Sequence, residues 1–217
     1  MPPPPKIVVV DTNCYVRLLH SPLRPVLGKV VSGHKLMTTV DLAAETLGNG
    51  GLGGRQAWLA SAEVQAELTG ATLKFREPKT SRLAEDANNF RRIGNAILRK
   101  ECETKGILIR TLSIVDARAW AAAALLNGVL ATDEWPLRLV TSRVDVDDDG
   151  NRLALFSSID LVHLLEQAGA MTPPQRVDLM RSWKLSGEAL HREADDDYRR
   201  LFGEVPPDAQ AEIAHKA

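Results

Sequence analysis

The chain has 217 residues, of which 44% are hydrophobic and 25% charged, and its formal net charge is −1 at pH 7. This length and apolar content predict one domain of ordinary size with an appendage and a real core. No apolar run approaches membrane-spanning length and the start, MPPPPK, lacks the apolar core of a signal peptide, so the sequence predicts a cytoplasmic protein. The cysteines, Cys14 and Cys102, are far apart in sequence and indicate neither a disulfide framework nor a zinc site.

The first informative segment is an apolar run that stops at a carboxylate. Residues 7–10 are all β-branched and predict a strand buried on both faces, as in a parallel sheet. Asp11 then lies at the carboxyl end of that strand, where open α/β sheets place their ligands. Thr12 and Asn13 can cap a helix predicted over 15–20, and capping is also the simplest alternative role for Asp11.

Three further acidic positions have comparable settings. Asp41 and Glu45 lie one turn apart in a predicted helix, so only one of them is expected to point along the sheet edge. Asp116 lies in the first turn of an alanine-rich helix that Ser113 can cap, and Asp133 ends another short apolar strand. Each acid alone is explained by capping or solvation, but four at like ends of their elements predict a shared carboxylate site.

The rest of the chain predicts further elements and some motifs without chemistry. The loop 48–54 has five glycines in seven residues but lacks the Lys-Ser/Thr ending of a P-loop. Acids at 145, 147 and 149 suggest a calcium loop, but Phe156 stands where a bidentate Glu is required, so a hairpin is preferred. His163, His191 and His215 lack metal-ligand spacing and are predicted to be surface or packing residues. The remaining predictions are helices over 55–69, 81–103, 159–167, 172–183 and 186–203, strands over 107–110 and 137–141, a hairpin pairing 143–146 with 152–156, and a frayed helix at the end.

Charge is distributed unevenly along the chain. Residues 1–144 contain 19 basic and 13 acidic residues, whereas residues 145–217 contain 8 basic and 15 acidic ones. The first part is therefore expected to bind a polyanion, with the alternative that its charges form an ordinary solvated helix face. The nucleic-acid contacts predicted within the basic stretch 74–105 are Arg91, Arg92, Arg99 and Lys100.

The ordered set of acidic motifs resembles the PIN domain, a family of metal-dependent nucleases that includes VapC-like toxin ribonucleases. The matching segments are VVVDTN at 8–13, VDLAAE ending at Glu45, SIVDARAWAAAAL at 113–125 and LATDE at 130–134. The resemblance covers residues 6–143 and, more loosely, the chain to 170. The helices beyond it resemble the C-terminal part of longer, uncharacterised bacterial PIN-like proteins.

This resemblance implies a fold, a site and an activity. The expected fold is a three-layer α/β/α arrangement around a mostly parallel sheet, with a PIN-like nuclease domain over 1–156 and a C-terminal helical extension over 157–217. The expected activity is that of a Mg²⁺- or Mn²⁺-dependent endoribonuclease, and the expected partners are RNA, an antitoxin protein and a second copy of the chain. The implied catalytic and metal-binding acids are Asp11, Glu45, Asp116 and Asp133, with Glu134 as the alternative to Asp133.

The chemistry of hard cations agrees with a carboxylate cluster. Mg²⁺ and Mn²⁺ prefer oxygen ligands, and crowded carboxylates repel one another unless a cation neutralises them. Two other function classes stay open. One is a PIN-like module that binds RNA or protein without catalysis. The other is a phosphatase of the haloacid dehalogenase type, which is disfavoured because Asn13 stands where that family needs a second aspartate.

Overall fold

The computed structural model describes residues 3–19, 26–47, 57–147, 149–188 and 190–208. These residues form an α/β fold around a five-stranded sheet with strand order β2-β3-β1-β4-β5. The pairs of β1 with β3, β1 with β4 and β4 with β5 are parallel, and only β2 and β3 are antiparallel. The strands are β1 (Lys6–Val10), β2 (Val30–Val31), β3 (His34–Met37), β4 (Val129–Ala131) and β5 (Ala154–Phe156).

Helices connect the strands and follow the last one. They are α1 (Thr12–Leu19), α2 (Val40–Leu47), α3 (Ala62–Ala71), α4 (Lys79–Lys105), α5 (Ile114–Leu125), α6 (Trp135–Thr141), α7 (Ser158–Gln167), α8 (Pro173–Leu185) and α9 (Ala194–Phe202), with a short 3-10 helix at Ala57–Ala60. No helix in the described part of the chain is long and apolar enough to cross a membrane.

The central strand β1 divides its side chains between two apolar clusters. Val8 and Val10 belong to one cluster, and Val9 belongs to the other. The same alternation occurs in β4, where Leu130 joins the second cluster and its two neighbours join the first. Because successive strand residues point to opposite faces, helices cover both faces of the sheet, which is compatible with a three-layer α/β/α fold.

One cluster also contains the C-terminal helices. Trp183 of α8 and Tyr198 of α9 are fully buried in the same cluster as Val8 and Val10. The indole Nε1 of Trp183 donates a hydrogen bond of 3.3 Å to the carbonyl oxygen of Arg17 in α1. The segment predicted as an extension therefore packs against the core, while the domain division at residue 156 stays a prediction.

The start of β4 lies unusually close to the centre of the sheet. A Cβ added at Gly128 would lie 2.6 Å from the carbonyl oxygen of Ile7. Real side chains do not approach a backbone oxygen so closely, so only glycine permits β4 to enter the sheet beside β1 at this position. This pairing places the ends of β1 and β4 next to each other.

Several local predictions are confirmed and others are wrong. The strand at 7–10 is confirmed as β1, and the helix predicted over 81–103 is confirmed within α4. The strand predicted over 107–110 is wrong: these residues have no regular structure, and Leu108 is 81% exposed because no neighbouring strand covers it. The strand predicted over 137–141 is wrong because this segment is helical, with Leu137, Val140 and Thr141 buried at helical spacing.

Other predictions hold in part. The helix predicted over 55–69 corresponds to the 3-10 helix followed by α3, and the helix predicted over 186–203 begins only at Ala194. The hairpin is reduced to one antiparallel bridge between Asp145 and Arg152, while β5 pairs in parallel with β4. The glycine loop at 48–54, His20 and the end of the chain after residue 208 lie outside the described residues.

Candidate functional site

The candidate site lies where β1 and β4 end. The backbone N–H of Asp11 donates to the carbonyl oxygen of Ala131 at 2.9 Å, which continues the strand pairing by one residue. The Asp11 side chain is buried, and the Thr132 hydroxyl donates to its Oδ2 at 2.8 Å. The first acid of the sequence pattern is therefore a buried carboxyl group at the predicted edge of the sheet.

The environment of Asp11 disfavours its ionised form. Burial raises the pKa of Asp11 to about 8, and the negative charges of Glu134 and Asp116 act in the same direction. The hydrogen bond from Thr132 opposes this shift without cancelling it. At neutral pH, Asp11 without a cation therefore holds a proton.

Glu134 and Glu45 face the same region. Burial raises the pKa of Glu134, and the charges of Asp116 and Glu45 raise it further. Asn13 Nδ2 donates to Glu134 Oε1 at 2.6 Å, and the Thr12 hydroxyl donates to Glu45 Oε2 at 2.9 Å. The residues that follow Asp11 thus orient two other acids. We call Asp11, Glu45, Asp116 and Glu134 the acid cluster.

The choice between Asp41 and Glu45 is made by an arginine of α5. Arg118 Nη1 lies 2.6 Å from Asp41 Oδ1, so Asp41 is tied to the neighbouring helix. Glu45, one turn later, accepts the hydrogen bond from Thr12 and contributes its charge to the acid cluster. Glu45, and not Asp41, therefore lies with the other acids of the cluster.

Asp116 closes a capping box and also lies near the other acids of the acid cluster. Its Oδ2 accepts a hydrogen bond from the backbone N–H of Ser113 at 2.9 Å, and its own N–H donates to the Ser113 hydroxyl at 3.0 Å. This reciprocal capping box fixes the start of α5. The same carboxylate is close enough to raise the pKa values of Asp11 and Glu134.

Asp133, the fourth acid in the sequence-based set, lies in a different environment. Its Oδ2 pairs with Arg17 Nη1 at 2.5 Å, and its Oδ1 contacts His191 Nδ1 at 3.1 Å. The backbone N–H of Ser158 donates to the same carboxylate at 3.2 Å, and the Ser158 hydroxyl also donates to it. We call Asp133, Arg17, His191 and Ser158 the Asp133 network.

The Asp133 network outweighs the effect of burial on the pKa of Asp133. Burial alone would raise the pKa of Asp133, but the hydrogen bond from His191 and the positive charge of Arg17 outweigh it and lower the pKa to about 2. Asp133 is thus a satisfied buried carboxylate whose oxygens are already engaged. Among the two neighbouring acids, the geometry places Glu134, and not Asp133, with Asp11 and Asp116.

Sequence reasoning missed the partners of Asp133. Arg17 lies on α1, and Ser158 opens α7. His191 precedes α9 and is buried, with its Nε2 lying 2.8 Å from Asp197 Oδ2. Nothing in the spacing of these residues signals that they meet, because they come from three distant parts of the chain.

The predicted basic contacts lie together on α4. Arg91, Arg92, Arg99 and Lys100 are all exposed residues of this helix. Arg91 Nε donates to the carbonyl oxygen of Leu112 at 3.2 Å, which connects α4 to the segment just before the cap of α5. Their role in binding nucleic acid stays a prediction.

A cleft of about 930 Å³ opens beside the acid cluster. Asn13 and Glu134 form part of its wall, so the cleft and the acid cluster share a boundary. Other parts of the wall come from the end of α4, from α6 and from the segment that leads into α9. Its basic lining residues are Arg17, Lys105, Arg110, Arg138, Arg143 and Arg192.

The donor atoms of the acid cluster suit a hard divalent cation. A divalent cation would offset the burial and charge repulsion that raise the pKa values of Asp11 and Glu134, and Thr132 and Asn13 already orient these two carboxyl groups. Within the described ranges, however, no group of three or more His, Cys, Asp or Glu side chains is placed closely enough to hold a metal ion. The donor chemistry therefore fits Mg²⁺ or Mn²⁺, while a complete ligand sphere requires the side chains to move together.

Comparison of this chain with known proteins finds no relative. No protein-family model matches the chain, and no curated protein or solved structure matches it significantly.

Proposed function

We propose that this protein is a divalent-cation-dependent ribonuclease with a PIN-like fold. The observation that carries the proposal is the acid cluster at the carboxyl ends of β1 and β4, where α/β sheets place their ligands. Asp11, Glu45 and Asp116 retain the roles that the family resemblance implies. Glu134 replaces Asp133 as the fourth acid because Asp133 is held by Arg17, Ser158 and His191.

Each residue of the site has a specific task in this proposal. The acid cluster would hold Mg²⁺ or Mn²⁺, which when bound supplies an activated water molecule and neutralises charge on a phosphodiester. Thr132 orients Asp11, Thr12 orients Glu45, and Asn13 orients Glu134 through their hydrogen bonds. The Asp133 network positions the segment 132–134 from behind, so Asp133 is a positioning residue.

Cleavage assays on single-stranded RNA test this proposal. The wild type should cut RNA with Mg²⁺ or Mn²⁺ and leave 5′-phosphate and 3′-hydroxyl ends, and it should be inactive in EDTA. Glu134→Gln and Asp11→Asn should each abolish cleavage, while Asp41→Asn is the matched control on α2 and should leave it unchanged. Cleavage that persists in EDTA, or in both site variants, would refute the metal site.

A more specific form of the proposal is that the protein is the toxin of a toxin–antitoxin pair. Its support is the resemblance to VapC-like toxins, so the test must be made in cells. Expression of the wild type should arrest growth, and expression of Asp11→Asn should not. Equal growth with both proteins would favour a stand-alone nuclease over a toxin.

A second candidate function is a PIN-like module that binds RNA without cutting it. The observation that favours it is the absence of a closed ligand sphere among the described side chains. Calorimetric titration with Mn²⁺ separates the two candidates. Binding by the wild type and its loss in Glu134→Gln would support the nuclease, whereas RNA binding without any cation binding would support the module.

A further inference from the structure

The cleft beside Glu134 contains positive charge that the protein does not neutralise internally. Arg110 and Arg192 are exposed lining residues, and neither has a hydrogen bond or ion pair from its side chain to any residue that the structure describes. Arg138 also lines the cleft and donates only to carbonyl oxygens, those of Thr132 at 3.0 Å and Phe156 at 3.4 Å. Three guanidinium groups therefore face the cleft without a carboxylate partner among the described residues.

The other lysine and arginine residues that line the cleft already form ion pairs with acidic residues. Glu101 pairs with Lys105 and with Arg143, each at 2.8 Å, and Arg17 pairs with Asp133 and Glu188. Glu193 is an exposed acid of the lining with no ion pair among the described residues. Its single charge does not balance three guanidinium groups, so the free charge of the cleft outside the acid cluster is positive.

An aromatic ring lies in the same cleft. Trp135 directly follows Glu134, is half-buried and lines the cleft. The Lys105 ammonium lies 5.3 Å from the centroid of its indole ring. Arginines contact phosphates and an accessible aromatic ring stacks with an unpaired base, so this combination suits a single strand and offers little to a duplex.

We propose that this cleft is the binding groove for single-stranded RNA, with Arg110 and Arg192 contacting phosphates and Trp135 stacking on a base next to the scissile bond. The inference rests on the proposed function, because it places the strand so that one phosphodiester reaches Glu134 and the acid cluster. The main phosphate contacts then lie in the cleft and not on the exposed face of α4 that the sequence predicted. The two arginines come from the loop after α4 and from the segment before α9, so the acidic segment 145–217 supplies part of the groove.

Binding measurements in EDTA test the groove independently of cleavage. Fluorescence anisotropy with a labelled single-stranded RNA of about 12 nucleotides should show at least tenfold weaker binding for Arg110→Ala/Arg192→Ala, as for two lost charge-assisted contacts. The slope of log affinity against log salt should become shallower by about 1.4, since each phosphate contact on a single strand contributes about 0.7.

The matched control removes the same charge far from the cleft. Arg76 and Lys79 are exposed, and Lys79 begins the helix whose other end carries Lys105, about 39 Å away at 1.5 Å per residue. Arg76→Ala/Lys79→Ala should change affinity by less than about twofold, as expected for screened, distant charges. Equal losses in the two double variants would overturn the groove and indicate general electrostatic attraction. A larger loss of affinity in Arg92→Ala/Arg99→Ala than in Arg110→Ala/Arg192→Ala would indicate that the phosphate contacts lie on α4 and would overturn the groove.

The stacking contact is tested with two substitutions of Trp135. Trp135→Leu should weaken binding at least about fivefold, the lower end of measured base–aromatic stacking, and Trp135→Phe should retain most of the affinity. Thermal unfolding of each variant identifies any loss of folding, and the part of the RNA-induced fluorescence quenching that is lost in Trp135→Phe gives a second readout. A duplex of the same sequence that binds as tightly as the single strand would overturn the stacking assignment.

The outcomes separate this inference from the proposed function. RNA binding that depends on Arg110 and Arg192, without cleavage in any cation, would uphold the groove and refute the nuclease. Cation-dependent cleavage with an unchanged KM in Arg110→Ala/Arg192→Ala would uphold the nuclease and refute the groove.

Discussion

Asp133 and Glu134 are neighbours in the chain, yet their carboxyl groups lie in opposite electrostatic environments at the same edge of the sheet. Asp133 is surrounded by donors, and its pKa is lowered to about 2. Glu134 and Asp11 are surrounded by other acids, and burial together with those charges raises their pKa values. The two environments are separated by a single peptide unit.

The difference shows which carboxylates serve the fold and which are available to a ligand. A buried charge whose partners are supplied by the protein is already stabilised, and a cation would have to displace them. Buried acids without basic partners are destabilising until something else neutralises them, which is how functional sites commonly differ from structural ion pairs.

Loss of the Asp133 carboxylate should cause the largest change in stability. Asp133→Ala leaves Arg17 and His191 without their shared buried partner, so the free energy of unfolding should fall by about 3–5 kcal/mol. Glu134→Gln should not destabilise the protein, because it removes a repelling charge. Urea unfolding of both variants at pH 7 measures the contrast. Similar losses in both would show that the two environments are not distinct.

Neutralising Asp11 should change the free energy of unfolding in the opposite direction and stabilise the protein. The carboxyl group of Asp11 has its ordinary pKa of 3.8 in the unfolded chain, whereas its pKa in the folded protein is about 8. Between these values the folded state binds more protons, so wild-type stability falls as the pH rises. Asp11→Asn should therefore raise the free energy of unfolding by up to about 4 kcal/mol at pH 7.

The pH series of Asp11→Asn identifies the cause. Its stability should lack the decline from pH 4 to pH 8 that the wild type shows, and Mg²⁺ or Mn²⁺ should stabilise only the wild type. A variant less stable than the wild type at pH 7 without cations would contradict the assignment of Asp11 to an uncompensated site.

Lowering the pH should weaken the Asp133 network, so its contribution to stability depends on pH in the opposite direction to that of Asp11. The folded pKa of about 2 lies below the unfolded value of 3.8, so this stabilisation is complete above pH 4 and is lost as the pH falls toward 2. The linked loss is about 2 kcal/mol. Unfolding of the wild type and Asp133→Asn should therefore converge over this range. Parallel curves of unfolding free energy against pH for the two proteins would mean that ionised Asp133 does not stabilise the folded state.

The smallest effect should come from the other acid of α2. The Asp41–Arg118 pair is partly exposed, so Asp41→Asn should cost less than about 1 kcal/mol. Glu45→Gln should change stability equally little but should reduce cation-dependent RNA cleavage. Loss of cleavage in Asp41→Asn, with full activity in Glu45→Gln, would exchange their assignments.

Strongly local signals were predicted well. Val8–Val10 form the centre of the sheet because three consecutive β-branched residues fit a strand buried on both faces. The predicted cap of Ser113 is confirmed because it depends on a contact within a single turn of helix, and the structure adds the reciprocal bond from Asp116. The apolar run 107–110 was predicted wrongly because strand propensity needs a neighbouring strand, and none pairs with it in the described chain.

By itself the sequence determined the parallel α/β core and the presence of acids where β1 and β4 end, because strand burial and helix capping depend on nearby residues. Only the tertiary structure places Glu134, rather than Asp133, beside Asp11 and Asp116, since neighbouring residues of an extended segment point in different directions. The partners that capture Asp133 come from α1, from the start of α7 and from the segment before α9. Their meeting depends on how the C-terminal helices pack against the core, a long-range arrangement that no local spacing encodes.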